Sequence, residues 1–114
     1  MLSNKYRFHG HGSLRFVYQH GKNIRGQLFA IKVIENKRRE TFRLAVVVSK
    51  KVSKSAVVRN RIRRRIYELV REEYDINAPF DIVITVFSDS VATMEHQKIK
   101  INLQEQLRQA GVIS

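Results

Sequence analysis

Residues 42–74, FRLAVVVSKKVSKSAVVRNRIRRRIYELVREEY, change midway from a strand pattern to a helix pattern, and the fold is read outward from that change. Phe42 to Ser49 is rich in β-branched and apolar residues and reads as a strand. From about Ser55 to Tyr74, Val58, Ile62, Ile66, Leu69 and Val70 recur at the spacing of one helical stripe. Upstream, Leu28 to Ile34 (LFAIKVI) is another strand, and the charged stretch Glu35 to Thr41 between the two predicts a hairpin. In that strand Phe29, Ile31 and Val33 share one face and Leu28, Ala30 and Lys32 the other, so the lysine marks the second face as partly open. Ser13 to Gln19 places Leu14, Val17 and Tyr18 at i, i+3 and i+4, a short helix stopped by His20-Gly21. Downstream of Pro79, Phe80 to Phe87 (FDIVITVF) predicts a further buried strand. Thr93 is the expected cap of a last helix carrying Ile99, Leu103, Leu107 and Ala110. The order is helix, two or three strands, helix, strand, helix. It predicts an α+β domain over 1–114: a small, mostly antiparallel sheet of three to four strands packed with three helices, αβββαβα-like.

Composition narrows the function. At 114 residues the chain has room for one core, and 43% hydrophobic residues with a single proline describe a packed protein despite the charge. Cysteine is absent, which excludes disulfides and thiolate zinc sites and agrees with a reducing, cytoplasmic setting. The N-terminal residues lack the apolar core of a signal peptide, and no window reaches the ~18 apolar residues of a membrane span, so no membrane partner is expected. The dominant anomaly is the net charge of +12, which calls for a polyanionic partner. Residues 1–67 hold 18 Lys and Arg against Glu35 and Glu40 alone, a net of +16; residues 68–114 hold 4 basic and 8 acidic residues, a net of −4. Solubility favours mixed signs, so segregation on this scale points to a binding face.

The face is concentrated in Ser49-Lys50-Lys51 and Arg59-Asn60-Arg61-Ile62-Arg63-Arg64-Arg65, within a Thr41–Tyr67 stretch holding nine basic residues and no acid. At 100° per residue, Asn60, Arg64 and Arg71 project opposite the apolar stripe, and Arg59 and Arg63 flank it. Like charges at i and i+4 cost about 0.2–0.5 kcal/mol per pair, a cost an anionic partner removes. Arginine suits bidentate phosphate contact and base stacking, and Asn60 adds a directional hydrogen bond. The competing reading is a solvated basic helix face.

The string VSKKVSKSAVVRNRIRRRIYE resembles the signature of bacterial ribonuclease P proteins, roughly V-S-K-K, a connector, then R-N-R-x-K-R-x-x-R-E. The Leu14, Val17, Tyr18, His20, Gly21 pattern is similar to that family's N-terminal helix, FAIKVI to its first long strand and FDIVITVF to its last, so the likeness covers most of the chain. The resemblance implies a strand–helix–strand crossover of the rare left-handed kind, against the general right-handed preference. It implies that Lys50, Lys51, Arg59, Asn60, Arg61, Arg63 and Arg64 contact a catalytic RNA subunit. Arg63 replaces the usual Lys and keeps the charge. Tyr67 stands where the family generally has Arg and would stack or hydrogen-bond there, and Glu68 fits the motif. The family also binds the single-stranded 5′ leader of precursor tRNA between the N-terminal helix and the open sheet face. Its aromatic positions fall here on Leu14, Tyr18 and Lys32, of which Tyr18 alone is aromatic. Leu14 reads equally as a core residue.

No catalytic constellation competes. His9-Gly10-His11 invites a metal reading, but no cysteine or third ligand joins it, and a basic N-terminal arm is the simpler reading. Asp81, Asp89, Glu35 and Glu40 are scattered over a strand, a turn and a charged loop, without the convergence that two-metal hydrolysis requires. The chain is therefore assigned no catalytic residue and no metal or other cofactor of its own; by resemblance, the RNA subunit requires Mg2+. The expected partners are that RNA and precursor tRNA, with no protein partner. The alternatives are a structural RNA-binding protein, such as a ribosomal protein, and an autonomous nuclease.

Overall fold

The computed structural model describes residues 6, 8, 11–76 and 78–113. The elements are α1 (His11–His20), β1 (Lys22–Arg25), β2 (Phe29–Glu35), β3 (Arg43–Val47), α2 (Ala56–Glu73), β4 (Phe80–Val86), a 3-10 turn at Asp89–Ala92 and α3 (His96–Gln109). α2 begins where Ser55 turns extended and its Oγ accepts a hydrogen bond from the Val58 amide at 3.3 Å, which satisfies one orphan N–H of the first turn. Its buried residues are Ile62, Ile66, Leu69 and Val70, as the periodicity requires, together with Tyr67. α1 closes with Gly21, whose amide donates to Val17 O at 2.8 Å; a β-carbon at Gly21 would fall 2.6 Å from that oxygen. Thr93 does not cap α3: it closes the preceding 3-10 turn, and α3 starts after Glu95 without a side-chain cap.

The sheet has four strands in the order β1-β2-β4-β3, with β1–β2 and β2–β4 antiparallel and β3–β4 parallel. The expected hairpin between the second and third strands is therefore not formed, because β4 lies between them. β4 is the most apolar strand and has only two half-buried positions among its seven residues, so it takes the place where both edges are paired and both faces covered. The charged connector from Asn36 to Phe42 is long enough to step over it, whereas a tight hairpin needs a turn signal that this segment lacks. Parallel neighbours in turn require a long crossover, which α2 supplies. The real hairpin is β1–β2, closed by Gly26 N donating to Phe29 O at 2.8 Å. Gln106, buried on α3, pins it by donating from Nε2 to the same oxygen at 3.0 Å.

The sheet's two faces differ. On one, Phe29, Ile31, Val33, Leu44, Val46, Ile82, Ile84 and Val86 join Ile62, Ile66, Leu69, Ile99, Leu103 and Leu107 of α2 and α3 in a single core. The other face carries α1, beneath which Val17 and Val83 are buried outside that core. Among the described residues no helix is long and apolar enough to cross a membrane.

Candidate nucleic-acid interface

The amphipathic stripe of α2 faces the core, so the rest of the helix must face outward, and it is basic. Asn60, Arg61, Arg64 and Arg71 are exposed, and Arg59 and Arg63 half-buried at the flanks. Several of these cations are already committed. Arg59 donates to Ser53 O at 2.9 Å, holding the loop that leads into α2, and Arg63 donates to Asn60 Oδ1 at 2.6 Å. Arg65 donates to Val91 O and Met94 O and ties α2 to the 3-10 turn, a structural role that the run of arginines in the sequence does not betray. Arg61, Arg64, Lys50, Lys51 and Lys54 are exposed and make no side-chain hydrogen bond or ion pair with a described residue. The first turn of α2 contains no acid. Cations there add to the positive end of the helix dipole, an arrangement that an anion at the same place stabilises. The exposed ion pairs Arg71–Glu72 and Arg108–Glu105 and the half-buried pair Lys100–Glu73 lie in the acidic C-terminal part of the chain.

Tyr67 leaves this face. It is 8% exposed and belongs to the buried core, so it fills volume and presents almost no surface to a ligand. At 100° per residue position 67 stands about 60° past Val70 and about 20° from Asn60, off the apolar stripe, so its burial comes from what packs around α2 and not from the helical period.

The second candidate region is the open face. Strand register sets Arg25, Ala30, Thr85 and Val47 in one row and Asn23, Lys32, Val83 and Ala45 in the next. Ala30, Ala45, Val47 and Thr85 thus form a half-buried floor beside α1, where the resemblance implies the leader cleft, and its Val47 end runs into the Ser49–Lys54 loop. Lys32 Nζ donates to Tyr18 O at 2.7 Å and stands 5.6 Å from the Tyr18 ring centroid, so these two predicted residues are brought together. Tyr18 is 41% exposed, leaving a ring face for stacking, while Leu14 is half-buried one turn earlier. Two residues not anticipated from the sequence join them: the guanidinium of Arg25 lies 4.6 Å from the centroid of Phe87, and both are exposed on the same face. The signal for them was present, since Arg25 and Phe87 stand in the alternating register of Lys32 and Val83, but only the strand order shows that they meet.

Asp81 is not part of any acidic cluster. Its carboxylate receives Arg43 Nε at 2.8 Å and Nη2 at 2.7 Å, and Asn36 Nδ2 at 3.1 Å, with Arg43 and Asp81 side chains 9% and 4% exposed. Arg43 Nη1 also reaches Ser13 Oγ at 3.4 Å, so the pair ties the start of α1 to the sheet. Among the described residues no group of three or more His, Asp or Glu side chains could hold a metal ion. His9 lies outside the described residues, and His11 opens α1.

The sequence model of the family described as Ribonuclease P matches residues 2–111. The chain belongs to the ribonuclease P protein family. It is 32% identical over 112 residues to the ribonuclease P protein component of a Geobacillus species (strain WCH70), covering 98% of this chain and 96% of that protein. It is 33% identical over 98 residues to that of Synechocystis, covering 85% and 78%. The solved ribonuclease P protein of Staphylococcus aureus superposes with a TM-score of 0.83 at 28% identity, over 96% of this chain and 98% of that one. The ribonuclease P protein of Thermotoga maritima shares the fold, with a TM-score of 0.75 at 21% identity over 86% and 91%. Membership makes the chain a protein subunit of the ribonuclease P endoribonuclease.

Proposed function

We propose that this chain binds the catalytic RNA of ribonuclease P through the exposed face of α2 and the Lys50–Lys51 loop, and that the cleft beside α1 receives the single-stranded 5′ leader of precursor tRNA. The observation that carries the reading is the cluster of exposed, unpaired cations Lys50, Lys51, Lys54, Arg61 and Arg64 around the start of α2. Their neutralisation by phosphate offsets both mutual repulsion and the helix dipole. Arg59, Asn60 and Arg63 shape the same surface and offer their remaining hydrogen-bonding capacity to it.

In the cleft, Tyr18 supplies a stacking face held in place by Lys32, and Arg25 with Phe87 supplies a second aromatic and cationic pair. Leader contacts exist only in the precursor, so they favour substrate over mature product. Hydrolysis belongs to the RNA subunit with its Mg2+ ions. The protein lowers the phosphate repulsion that keeps two RNAs apart and adds leader contacts.

The test is cleavage of 5′-labelled precursor tRNA at low magnesium by protein alone, by a bacterial ribonuclease P RNA alone and by both. Accurate cleavage that requires both components, or is strongly stimulated by the protein, is the expected result. Cleavage by protein alone would show an autonomous nuclease, and no stimulation would leave a structural RNA-binding protein.

A further inference from the structure

A cavity of about 600 Å³ opens on the other flank of α1 from Tyr18. It lies at the opposite end of the sheet from Lys50 and Lys51, because its outer wall is the β2–β3 connector, which follows Glu35, whereas those lysines follow Val47 at the far end of β4. Phe16 and Tyr18 stand about 200° apart around the helix, so a ligand on one does not touch the other.

Phe16 of α1 lines the cavity and is 51% exposed, so its ring is open to a ligand. The His20 ring lies 4.6 Å from it at 42°, extending the aromatic surface along the helix. Ile34 adds an apolar wall, and Lys37 and Arg38 form the rim. The side chains of Lys37 and Arg38 are exposed and make no hydrogen bond or ion pair with a described residue. The back of the cavity is rigid, since Arg43, Asp81 and Asn36 are locked in their own network. Ser13 Oγ, which there accepts only from Arg43, keeps a hydroxyl proton to donate, and the exposed Glu35 carboxylate offers an acceptor.

An aromatic plate, polar groups at its edge and two unpaired cations at the rim match the base, base edge and phosphates of a nucleotide. An apolar peptide would strand both cations, so it does not match. We propose that this cavity is a second RNA site, taking one nucleotide of single-stranded RNA with its base against Phe16 and the adjoining phosphates on Lys37 and Arg38. The proposal rests on the RNA-binding reading above.

The test uses the full chain assembled with a ribonuclease P RNA, comparing wild type, Phe16→Ala and the Lys37→Ala/Arg38→Ala double variant. Affinity for the RNA subunit, for precursor tRNA and for mature tRNA are each measured over a range of salt. Phe16→Ala is expected to weaken one of these equilibria about 5-fold or more, and the double variant to flatten the salt dependence of the same one. Loss confined to precursor places the nucleotide in the substrate, and loss in assembly places it in the RNA subunit. Wild-type values throughout for both variants would overturn the proposal. Tyr18→Ala and Arg61→Ala run in parallel: if they act and the cavity variants do not, the cavity proposal alone falls, whereas if none acts the RNA-binding reading falls with it. All the substituted side chains are at least partly exposed, and a thermal midpoint no lower than that of wild type shows that each variant is folded.

Discussion

The two faces of the sheet are built from the same four strands and do opposite work. One face lies beneath two helices and is closed by apolar contact, with Ile31, Ile82 and Ile84 fully buried. The other is covered by one short helix held at a few directional points: Arg43 to Ser13, Lys32 to the Tyr18 carbonyl, and Val17 against the sheet. Broad apolar contact stabilises but leaves no room for a ligand. A helix pinned at a few polar points leaves half-buried floor at Ala30, Ala45, Val47 and Thr85. The closed face carries stability, while the open face and the outward surface of α2 are left to the proposed RNA contacts, and substitutions should separate along that line.

The largest effect should come at the point where the open face is not open. Asp81→Ala leaves the Arg43 guanidinium buried without its partner and is expected to cost about 3–5 kcal/mol in denaturant unfolding. A cost below about 1 kcal/mol would mean that the pair is solvated and that α1 is held by something else. On the closed face, Leu103→Ala should cost about 2–5 kcal/mol by loss of burial and cavity formation, with RNA affinity retained in the folded fraction. Tyr67→Phe belongs to the same class and should leave affinity for the RNA subunit unchanged; a clear loss of affinity would return Tyr67 to the binding face.

Smaller effects are expected on the binding side, and they should spare stability. Arg61→Ala with Arg64→Ala is expected to lower the salt slope of RNA binding by up to about 0.9 per contact on duplex RNA, and to raise the thermal midpoint slightly by relieving repulsion. An unchanged slope would leave both guanidiniums in solvent. Tyr18→Ala should weaken precursor binding by about 1–3 kcal/mol per stacked base while mature tRNA binds as before. Added phosphate or sulfate should raise the midpoint of wild type more than that of the double arginine variant.

The smallest effect is a pH dependence on the closed side. Burial, and secondarily the neighbouring Glu73 carboxylate, push the Tyr74 hydroxyl well above its ordinary value of 10.0. The folded state keeps this proton after the unfolded chain has begun to lose it, so the stabilisation is complete below about pH 10 and declines as pH rises further. Tyr74→Phe should remove that component from stability curves taken between pH 8 and 11; an identical decline in both proteins would assign it to other groups.

Local order was legible because it is written in short-range periodicity. The stripe Val58, Ile62, Ile66, Leu69, Val70 gives α2 to within a residue, and the alternation of Phe29, Ile31 and Val33 gives both β2 and the face it buries. The basic motif was legible because charge and spacing are properties of the chain itself. Strand order was not, since Leu28–Ile34 and Phe42–Ser49 carry the same pattern whether they pair with each other or with β4. Thr93 failed as a cap for a similar reason: a cap residue suits any nearby helix start, and the 3-10 turn came first.

The sequence by itself determined the three helices, the strands β2, β3 and β4, the strong positive charge and the arginine-rich helix that bears much of it, because helix propensity, apolar period and net charge need no knowledge of the fold; β1, short and mostly exposed, shows only through its pairing with β2. Only the tertiary structure decided which of those charges are available. It committed Arg65 to two carbonyls and Arg43 to Asp81, turned Tyr67 into the core, and set Arg25 against Phe87 and Phe16 beside Lys37 and Arg38. The physical reason is that a side chain's partner is chosen by strand order and helix packing across tens of residues, where local pattern carries no information.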